Sequence, residues 1–362
     1  NRTGRKRDYV GVLSSVFAIV IGLLVGFVIL LICNPSQALP GFVTILTGAF
    51  THGLKGVGQV FYYATPIILT GLSVGFAFKT GLFNIGTPGQ FIVGAFAAVY
   101  VGIMWTGLGR IQWAVALLAA ILGGALWGMV PGFLKACFNV NEVIASIMMN
   151  YIGMYMVNWI VKSYKPLFNN LRNESRNVAA TAQIPKMGMD KLFPESSVGG
   201  GILLAIAAVL IIWVILNKTT FGYELKAVGF NRDASRYAGI NEKRNIIMSM
   251  VIAGAIAGMA GGLLYLAGTG KHIEIKDVLA SEGFTGISVA LLGLSHPIGV
   301  LFSGLFIAYL TAGGFYLQLF EFSTEIIDII VAVIIYFSAF ALIVKTILTR
   351  MNRKREKGGG QI

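Results

Sequence analysis

Long apolar segments alternate with short polar connectors along almost the whole chain. A helix of about 20 apolar residues is long enough to cross the ~30 Å hydrocarbon core of a bilayer. The pattern predicts ten crossings, at residues 9–32, 58–78, 89–104, 112–134, 143–161, 199–216, 246–266, 284–294, 298–315 and 326–347. A short apolar segment, 41–53, is predicted to lie at the membrane interface. The predicted fold class is therefore an all-α, polytopic transmembrane bundle of about ten helices.

One of these segments, 284–294, is too short to cross comfortably. It also fits a broken or re-entrant helix, which is stable at membrane depth only where it is buried in protein or lines a cavity. If it did not cross, the basic C-terminal sequence RMNRKREK would lie outside. That placement opposes the rule that basic residues flank membrane helices on the cytoplasmic side, so ten crossings are retained.

The polar connector 217–245 has the residues of a short, well-defined helix of about two turns. Asn231 is suited to cap its start, and Asp233 lies at the positive end of the helix dipole. Arg236 lies near the negative end, and Gly239 supplies a left-handed stop. These features predict a helix at the cytoplasmic face that docks onto another protein. On these residues alone an ordinary capped turn in a basic cytoplasmic loop is the more common case, since short capped helices are frequent in connectors.

Composition places the chain in the membrane. Of 362 residues, 56% are hydrophobic and 12% are charged, with a mean hydropathy of +0.78, whereas soluble domains carry roughly 25% charged residues. The net charge of +13 comes from basic residues beside and between apolar segments, which indicates membrane topology and not nucleic-acid binding.

These charges define the predicted domain organisation. A basic cytoplasmic N-terminus, 1–8, is followed by a transmembrane domain, 9–347, and a basic cytoplasmic tail, 348–362. Within the transmembrane domain, 162–198 is predicted as an outer loop and 217–245 as a cytoplasmic loop. Both termini are therefore expected on the cytoplasmic side.

Close helix packing is predicted by glycines repeated at every fourth position, because small residues on one helical face let two backbones approach. The longest such sets are Gly124, Gly128 and Gly132, and Gly254, Gly258 and Gly262.

The centres of the predicted spans hold almost no ionisable side chains. A proton- or sodium-driven transporter is expected to bury such a group, which argues against a stand-alone secondary transporter. Neutral polar and aromatic residues take their place, and they suit an uncharged solute with a ring system. The predicted substrate pathway comprises Phe83, Asn84, Gln90, Asn150, Thr285 and Ser288. Hydrogen bonding between helices is an equally open role for each of them.

The sequence contains no catalytic signature. GTGKH at 268–272 is not a phosphate-binding loop, because Tyr265 stands where glycine is required and a histidine follows the lysine. The three histidines lack metal-ligand spacing, so no metal site is expected. With no acid, base or nucleophile grouped inside the spans, a membrane-embedded enzyme is disfavoured.

Three stretches carry a resemblance to a known family. YELKAVGFNRDASRYAGINEKRNIIMSMVIAGAIAGMAGG resembles the coupling loop and following helix of ABC-importer permeases in the branched-chain amino acid, ribose and nucleoside group. GLFNIGTPGQFIVGAF and NEVIASIMMNYI are similar to bacterial nucleoside or simple-sugar permeases. The likeness runs over about 62–294. It departs from the family pattern at Pro88, where relatives often have Glu, and at Arg232, where Pro commonly follows the Asn.

The resemblance implies a permease subunit of an ATP-driven importer in the bacterial plasma membrane, carrying nucleosides or, alternatively, ribose or another simple sugar. Its implied partners are an ABC ATPase, which uses ATP and Mg, a second and similar but different permease, an extracellular substrate-binding (lipo)protein, and membrane lipid. The chain itself is then not an enzyme and holds no cofactor. The implied docking surface for the ATPase consists of Ala227, Val228, Gly229, Asn231, Ala234, Ala238 and Gly239.

Overall fold

The computed structural model describes residues 2–320 and the separate positions 322, 329, 332, 333, 336, 337 and 346, with the backbone alone for 2–15 and 18. The described chain is predominantly helical. Its α-helices are α1 Arg2–Cys33, α2 Ala38–Thr51, α3 Gly53–Lys79, α4 Thr87–Met104, α5 Gln112–Phe138, α6 Glu142–Ser163, α7 Met189–Leu192, α8 Gly201–Lys218, α9 Thr220–Phe230, α10 Arg232–Tyr237, α11 Glu242–Tyr265, α12 Ser281–Leu292 and α13 Pro297–Phe315. Two short antiparallel strands, β1 Phe168–Asn169 and β2 Glu174–Ser175, lie in the predicted outer loop.

Seven helices within the described residues are long and apolar enough to cross a membrane. They are α3, α4, α5 with the 3-10 turn before it, α6, α8, α11, and α13 with the 3-10 turn after it. Each corresponds to a predicted span, so a multi-pass helical membrane fold is confirmed.

The remaining three predicted spans are not among the seven. The span predicted at 9–32 lies on α1, whose described apolar stretch, Ile19–Cys33, is shorter than the others. The span predicted at 284–294 corresponds to α12, a helix of only 12 residues. The one predicted at 326–347 lies outside the described residues. The total of about ten stays a prediction.

The chain forms two compact units, residues 1–53 with 309–362, and residues 54–308. In the first, α2 packs against α1 and against the 3-10 turn Tyr316–Phe320. The Tyr309 hydroxyl donates a hydrogen bond to the carbonyl of Leu46, and the rings of His52 and Tyr316 stack with centroids 4.3 Å apart.

In the second unit, α11 packs against α5 and α4 along its glycine face. A Cβ atom on Gly258 would lie 2.2 Å from the Ala120 carbonyl oxygen, and one on Gly254 would lie 2.3 Å from that of Gly124. The two backbones are therefore in direct contact, as the glycine spacing predicts.

Helix α12 runs beside α3 and touches the start of α4. A Cβ on Gly286 would lie 2.6 Å from the backbone of Thr70, and one on Gly283 would lie 2.6 Å from Pro88. The Ser303 hydroxyl of α13 donates to the carbonyl of Val289. This short helix is thus packed against protein along its length, which is the condition that a re-entrant helix requires.

The connectors of the second unit gather at its two ends. At one end, which we call the coupling end, Gly229 packs on the turn 79–81, and the Arg232 guanidinium donates to the Asn139 side chain. At the other, the loop end, the backbone N–H of Ala179 donates to Gly102, and that of Ile184 donates to Leu266. The predicted outer loop and the predicted cytoplasmic loop therefore lie at opposite ends.

Candidate functional site

A pair of buried amides closes the break between α3 and α4. The Asn84 side-chain N–H donates to Gln90 Oε1 at 2.9 Å, and the Gln90 side-chain N–H donates back to Asn84 Oδ1 at 3.1 Å. Asn84 also accepts from the backbone N–H of Gly86 and donates to the Ser73 hydroxyl, which in turn donates to the Ala253 carbonyl of α11. The break is therefore tied to both flanking helices and to α11.

Asn150 of α6 completes this arrangement. Its Oδ1 accepts from the backbone N–H of Gly89 at 2.8 Å, and its Nδ2 donates to the Ile85 carbonyl at 2.9 Å. The Gly89 N–H is one of the groups that a helix start leaves without an intrahelical partner, and the Ile85 carbonyl lies in the turn just before α4. Asn150 lies eight residues into α6, or about 12 Å at 1.5 Å per residue. The break therefore lies inside the length of a spanning helix.

The structure brings three of the predicted pathway residues, Asn84, Gln90 and Asn150, into one buried network. Their amides bond to one another and to the backbone, which favours the role in helix–helix hydrogen bonding. Phe83 stacks on Phe78 with ring centroids 5.3 Å apart. We call Asn84, Gln90 and Asn150 the amide network.

The other two predicted pathway residues lie on α12. The Thr285 hydroxyl donates to the Ser281 carbonyl in the preceding turn, and Ser288 follows on the same helical face, half-buried. Within the described residues, no hydrogen bond joins either hydroxyl to the amide network. The contact between Gly283 and Pro88 nevertheless places α12 beside the start of α4.

The capped helix predicted after Asn231 is confirmed as α10. Asn231 Oδ1 accepts from the Ala234 N–H at 2.9 Å, and Gly239 has φ of 81°. Asp233 lies in the first turn and Arg236 in the last. The separate helix α9 before it was not predicted. The residue that could have indicated its start is the cap Thr219, which accepts from the Gly222 N–H.

Arg232, noted above as a departure from the family pattern, anchors α10. Its guanidinium pairs with the Glu242 carboxylate at 2.5 Å and also donates to Asn139 at 3.3 Å. It therefore joins α10 to the first turn of α11 and to the end of α5. This role was missed because the partners lie on other elements.

The seven predicted docking residues fall into two groups. Val228 is buried in a cluster with Ala77 and Leu82, Ala227 is half-buried, and Gly229 is so close to the turn 79–81 that a Cβ on it would lie 2.5 Å from the Lys79 carbonyl oxygen. Asn231, Ala234, Ala238 and Gly239 form the second group and are exposed, and Gly229 is exposed on its other side. The first group attaches the segment, and the second presents a surface.

Two exposed aromatic side chains flank that surface and were missed by the sequence analysis. Phe230 is 90% exposed and Tyr237 is 94% exposed. Large apolar side chains at this exposure suit contact with another protein.

The described residues also enclose a cavity of about 340 Å³ between α4, α6 and the chain that follows α11. It was not predicted, because the polar stretch 266–280 has the pattern of a connector. No group of three or more His, Cys, Asp or Glu side chains arranged to hold a metal ion occurs in the described part of the chain.

Comparison with known proteins identifies the family. Residues 56–339 match the family described as branched-chain amino acid transport system / permease component. The chain belongs to this permease family. No solved structure matches it.

Two similar relatives cover nearly all of this permease. The guanosine ABC transporter permease protein NupP of Bacillus subtilis is 38% identical, over 94% of this chain and 97% of the relative. The nucleoside ABC transporter permease protein NupB of Lactococcus lactis is 34% identical, over 94% and 93%.

Two more distant relatives cover less of it. The glucose ABC transporter permease protein TsgB13 of Haloferax volcanii is 31% identical, over 82% of this chain and 78% of the relative. Bacillus subtilis also has a second guanosine ABC transporter permease protein, NupQ, which is 29% identical over 68% and 77%. The chain is thus a transport subunit and a multi-pass membrane protein.

We expect Asn150→Ala to destabilise the permease, because it leaves the Gly89 N–H and the Ile85 carbonyl without partners. Each buried group left unsatisfied costs about 1–3 kcal/mol. Thermal unfolding of the purified protein in detergent measures the effect. Asn217→Ala is the matched control, since the Asn217 amide makes one exposed bond within its own helix. Equal stability of the two variants would contradict the structural role of Asn150.

Proposed function

We propose that this chain is a permease subunit of an ATP-driven importer for nucleosides. The observation that carries the proposal is its likeness, over 94% of its length, to permeases described as guanosine and nucleoside transporters. A glucose permease is also related, over a smaller share of the chain, so a simple-sugar importer is the second candidate. The chain would form the translocation path with about ten spans in the bacterial plasma membrane.

The proposed orientation places the coupling end and both termini in the cytoplasm. The connector at this end carries Lys218, Lys226, Arg232 and Arg236, and basic connectors favour the cytoplasmic side. The loop end, with residues 164–200, would then face outward, where an extracellular substrate-binding protein would dock.

The proposed partner at the coupling end is an ABC ATPase, which would hydrolyse ATP with Mg. It would contact the exposed residues of α10 together with Phe230 and Tyr237. Two attachments would carry its movement into the membrane: the Arg232–Glu242 ion pair leads to α11, and Gly229 leads to the turn 79–81. That turn continues into the break held by the amide network.

The proposed substrate pathway keeps Phe83, Asn84, Gln90, Asn150, Thr285 and Ser288 as its residues. Because the amides are paired with one another, they would contribute by stabilising the alternative conformations of the break. Thr285 and Ser288, half-buried on α12, would be the members open to solute.

A second, different permease is the proposed partner of the exposed aromatic face of α6. Tyr151, Tyr155 and Trp159 repeat at every fourth position on it and are exposed. Tyr155 lies about 12 Å from the end of α6, and a hydroxyl at such depth has no water to bind in lipid. By contrast, the exposed side chains along the middle of α5 and α8 are aliphatic and suit lipid; they include Leu118, Leu122, Leu126, Leu210, Ile211 and Val214.

The presence of two guanosine permeases in Bacillus subtilis, NupP and NupQ, supports a partner of similar type. A helix of such a partner would supply the hydrogen bonds that lipid does not.

The proposed function predicts ATP-dependent uptake of labelled uridine that exceeds uptake of labelled ribose. The measurement uses the complex purified in mild detergent with its co-purifying proteins and returned to vesicles, with and without ATP inside. Dominant ribose uptake would replace the substrate and keep the architecture. Uptake without ATP, or a complex without an ATPase, would overturn the importer.

Ala234→Arg is expected to abolish uptake while leaving the permease folded, because it places a long charged side chain on the exposed face of α10. A loss of at least tenfold in uptake per ATP hydrolysed is expected. The matched control is Ala180→Arg, the same change at an exposed position of the loop end. Normal coupling in Ala234→Arg would remove α10 from the ATPase contact.

Tyr155→Ala is expected to weaken the association of the two permeases about fivefold or more, since Tyr is enriched among the interface residues whose truncation costs more than about 1 kcal/mol. Co-purification of the second permease at increasing detergent concentration measures it. Leu122→Ala, at a 61% exposed position of α5, is the lipid-facing control. Equal behaviour of the two variants would place the partner elsewhere.

A further inference from the structure

The cavity at the loop end has one apolar wall and one charged wall. Ile92 of α4 and Met154 of α6 form the apolar part, together with the half-buried ring of Tyr265. Lys271 and Glu282 face them from the chain that follows α11. The volume of about 340 Å³ is within the range of sites that hold small molecules.

The charged wall contains an ion pair. Lys271 Nζ lies 3.1 Å from Glu282 Oε1, and both side chains are partly exposed. Burial raises the pKa of the Glu282 carboxyl, but the Lys271 charge and the hydrogen bonds that the carboxylate accepts from Lys271, Ser281 and the backbone together outweigh this effect, so the pKa lies below its usual range. Glu282 is therefore a carboxylate at neutral pH, and its oxygens can accept more than one hydrogen bond.

The cavity and the amide network lie along the same face of α6. Asn150, Met154 and Asn158 are spaced by four residues on one face of α6. Asn150 belongs to the amide network and Met154 lines the cavity. Asn158 donates to the Lys276 carbonyl and so holds the segment between α11 and α12 in place. The cavity thus lies next to the break, on its side toward the loop end, at the start of α12.

The balance of charge limits the ligand class. Lys271 pairs with Glu282, and Lys276 pairs with Glu274 at 2.9 Å. Both ammonium groups are paired, and His272 of the lining lies 4.0 Å from the Glu174 carboxylate, so the cavity offers no surplus positive charge for a phosphate. An uncharged ligand with an apolar ring system at one end and hydroxyl groups at the other fits both walls.

We propose that this cavity is a nucleoside-binding site, in which the vicinal ribose hydroxyls bind Glu282 and Lys271 and the base lies against Ile92, Met154 and Tyr265. This inference rests on the proposed function. Carboxylates bind ribose hydroxyls in dinucleotide-binding folds for the same chemical reason, because two adjacent O–H donors match the acceptors of one carboxylate. An apolar and aromatic wall matches the faces of the base.

The test compares Glu282→Gln with the wild-type importer on two solutes, uridine and 2′,3′-dideoxyuridine. Glu282→Gln is expected to raise the KM for uridine about tenfold or more, since a hydrogen bond to a charged group is lost. The KM for 2′,3′-dideoxyuridine is expected to change less than twofold, because that solute lacks both hydroxyls. The matched control is Glu195→Gln, which removes an exposed carboxylate paired with Lys55, outside the cavity.

Assembly is checked by co-purification of the ATPase. If Glu282→Gln does not assemble, Lys271→Gln is tested in its place. It is expected to raise the KM for uridine in the same way, with little change in the KM for 2′,3′-dideoxyuridine. An equal change in KM for both solutes, or no change for either, would overturn the cavity as the binding site. Uridine uptake by the wild type would in that case still support the proposed function. Absence of uridine uptake by the wild type would overturn both.

Discussion

A helix interrupted inside a membrane protein must satisfy its own backbone groups, because the surrounding hydrocarbon supplies no hydrogen bonds. This constraint explains the amide network. Asn150 supplies one acceptor and one donor to the start of α4, and the reciprocal pair of Asn84 and Gln90 closes the turn before it. Through Ser73 the same network reaches α11, so the break is connected to a helix that packs in direct backbone contact with α5.

The contact of α5 with α11 is a second constraint, and it is one of shape. At Gly124, Gly254 and Gly258, the partner backbone occupies the place of a side chain. Such a contact resists sliding of one helix along the other, because sliding would bring a larger residue to the place of a glycine and push the two helices apart. Helix α11 is therefore a fixed support, with the Arg232–Glu242 ion pair at its first residue and Tyr265 at its last. A displacement of α10 in the proposed importer would reach the cavity along one rigid element.

Local signals predicted the elements well. Asn231 and Gly239 were enough to predict α10, since capping and a left-handed stop depend on neighbouring residues only. Apolar length predicted the seven described spans. The Gly-, Pro- and Asn-rich sequence GLFNIGTPGQ at 81–90 is typical of an interrupted helix start, and α4 begins within it.

Partners between elements could not be predicted in the same way. The spacing of Gly71 and Gly75 equals that of Gly254 and Gly258, and spacing alone does not say which helix each face meets. In the structure the former pair packs on α12 and α13, and the latter packs on α5. The cavity depends on the fold of 271–282 against α4 and α6, which no periodic pattern encodes.

The distribution of charge bears on how the proposed importer is driven. In the described spans, Lys79 is the last residue of α3 and Glu142 is the first of α6, so both lie at helix ends. In the cavity, Lys271 and Lys276 are each paired with a carboxylate. A neutral solute moving along such a route needs no counter-charge. In the proposed importer the partner ATPase imposes the direction of transport on the conformation, and α11 and the turn 79–81 are joined both to the coupling end and to the break.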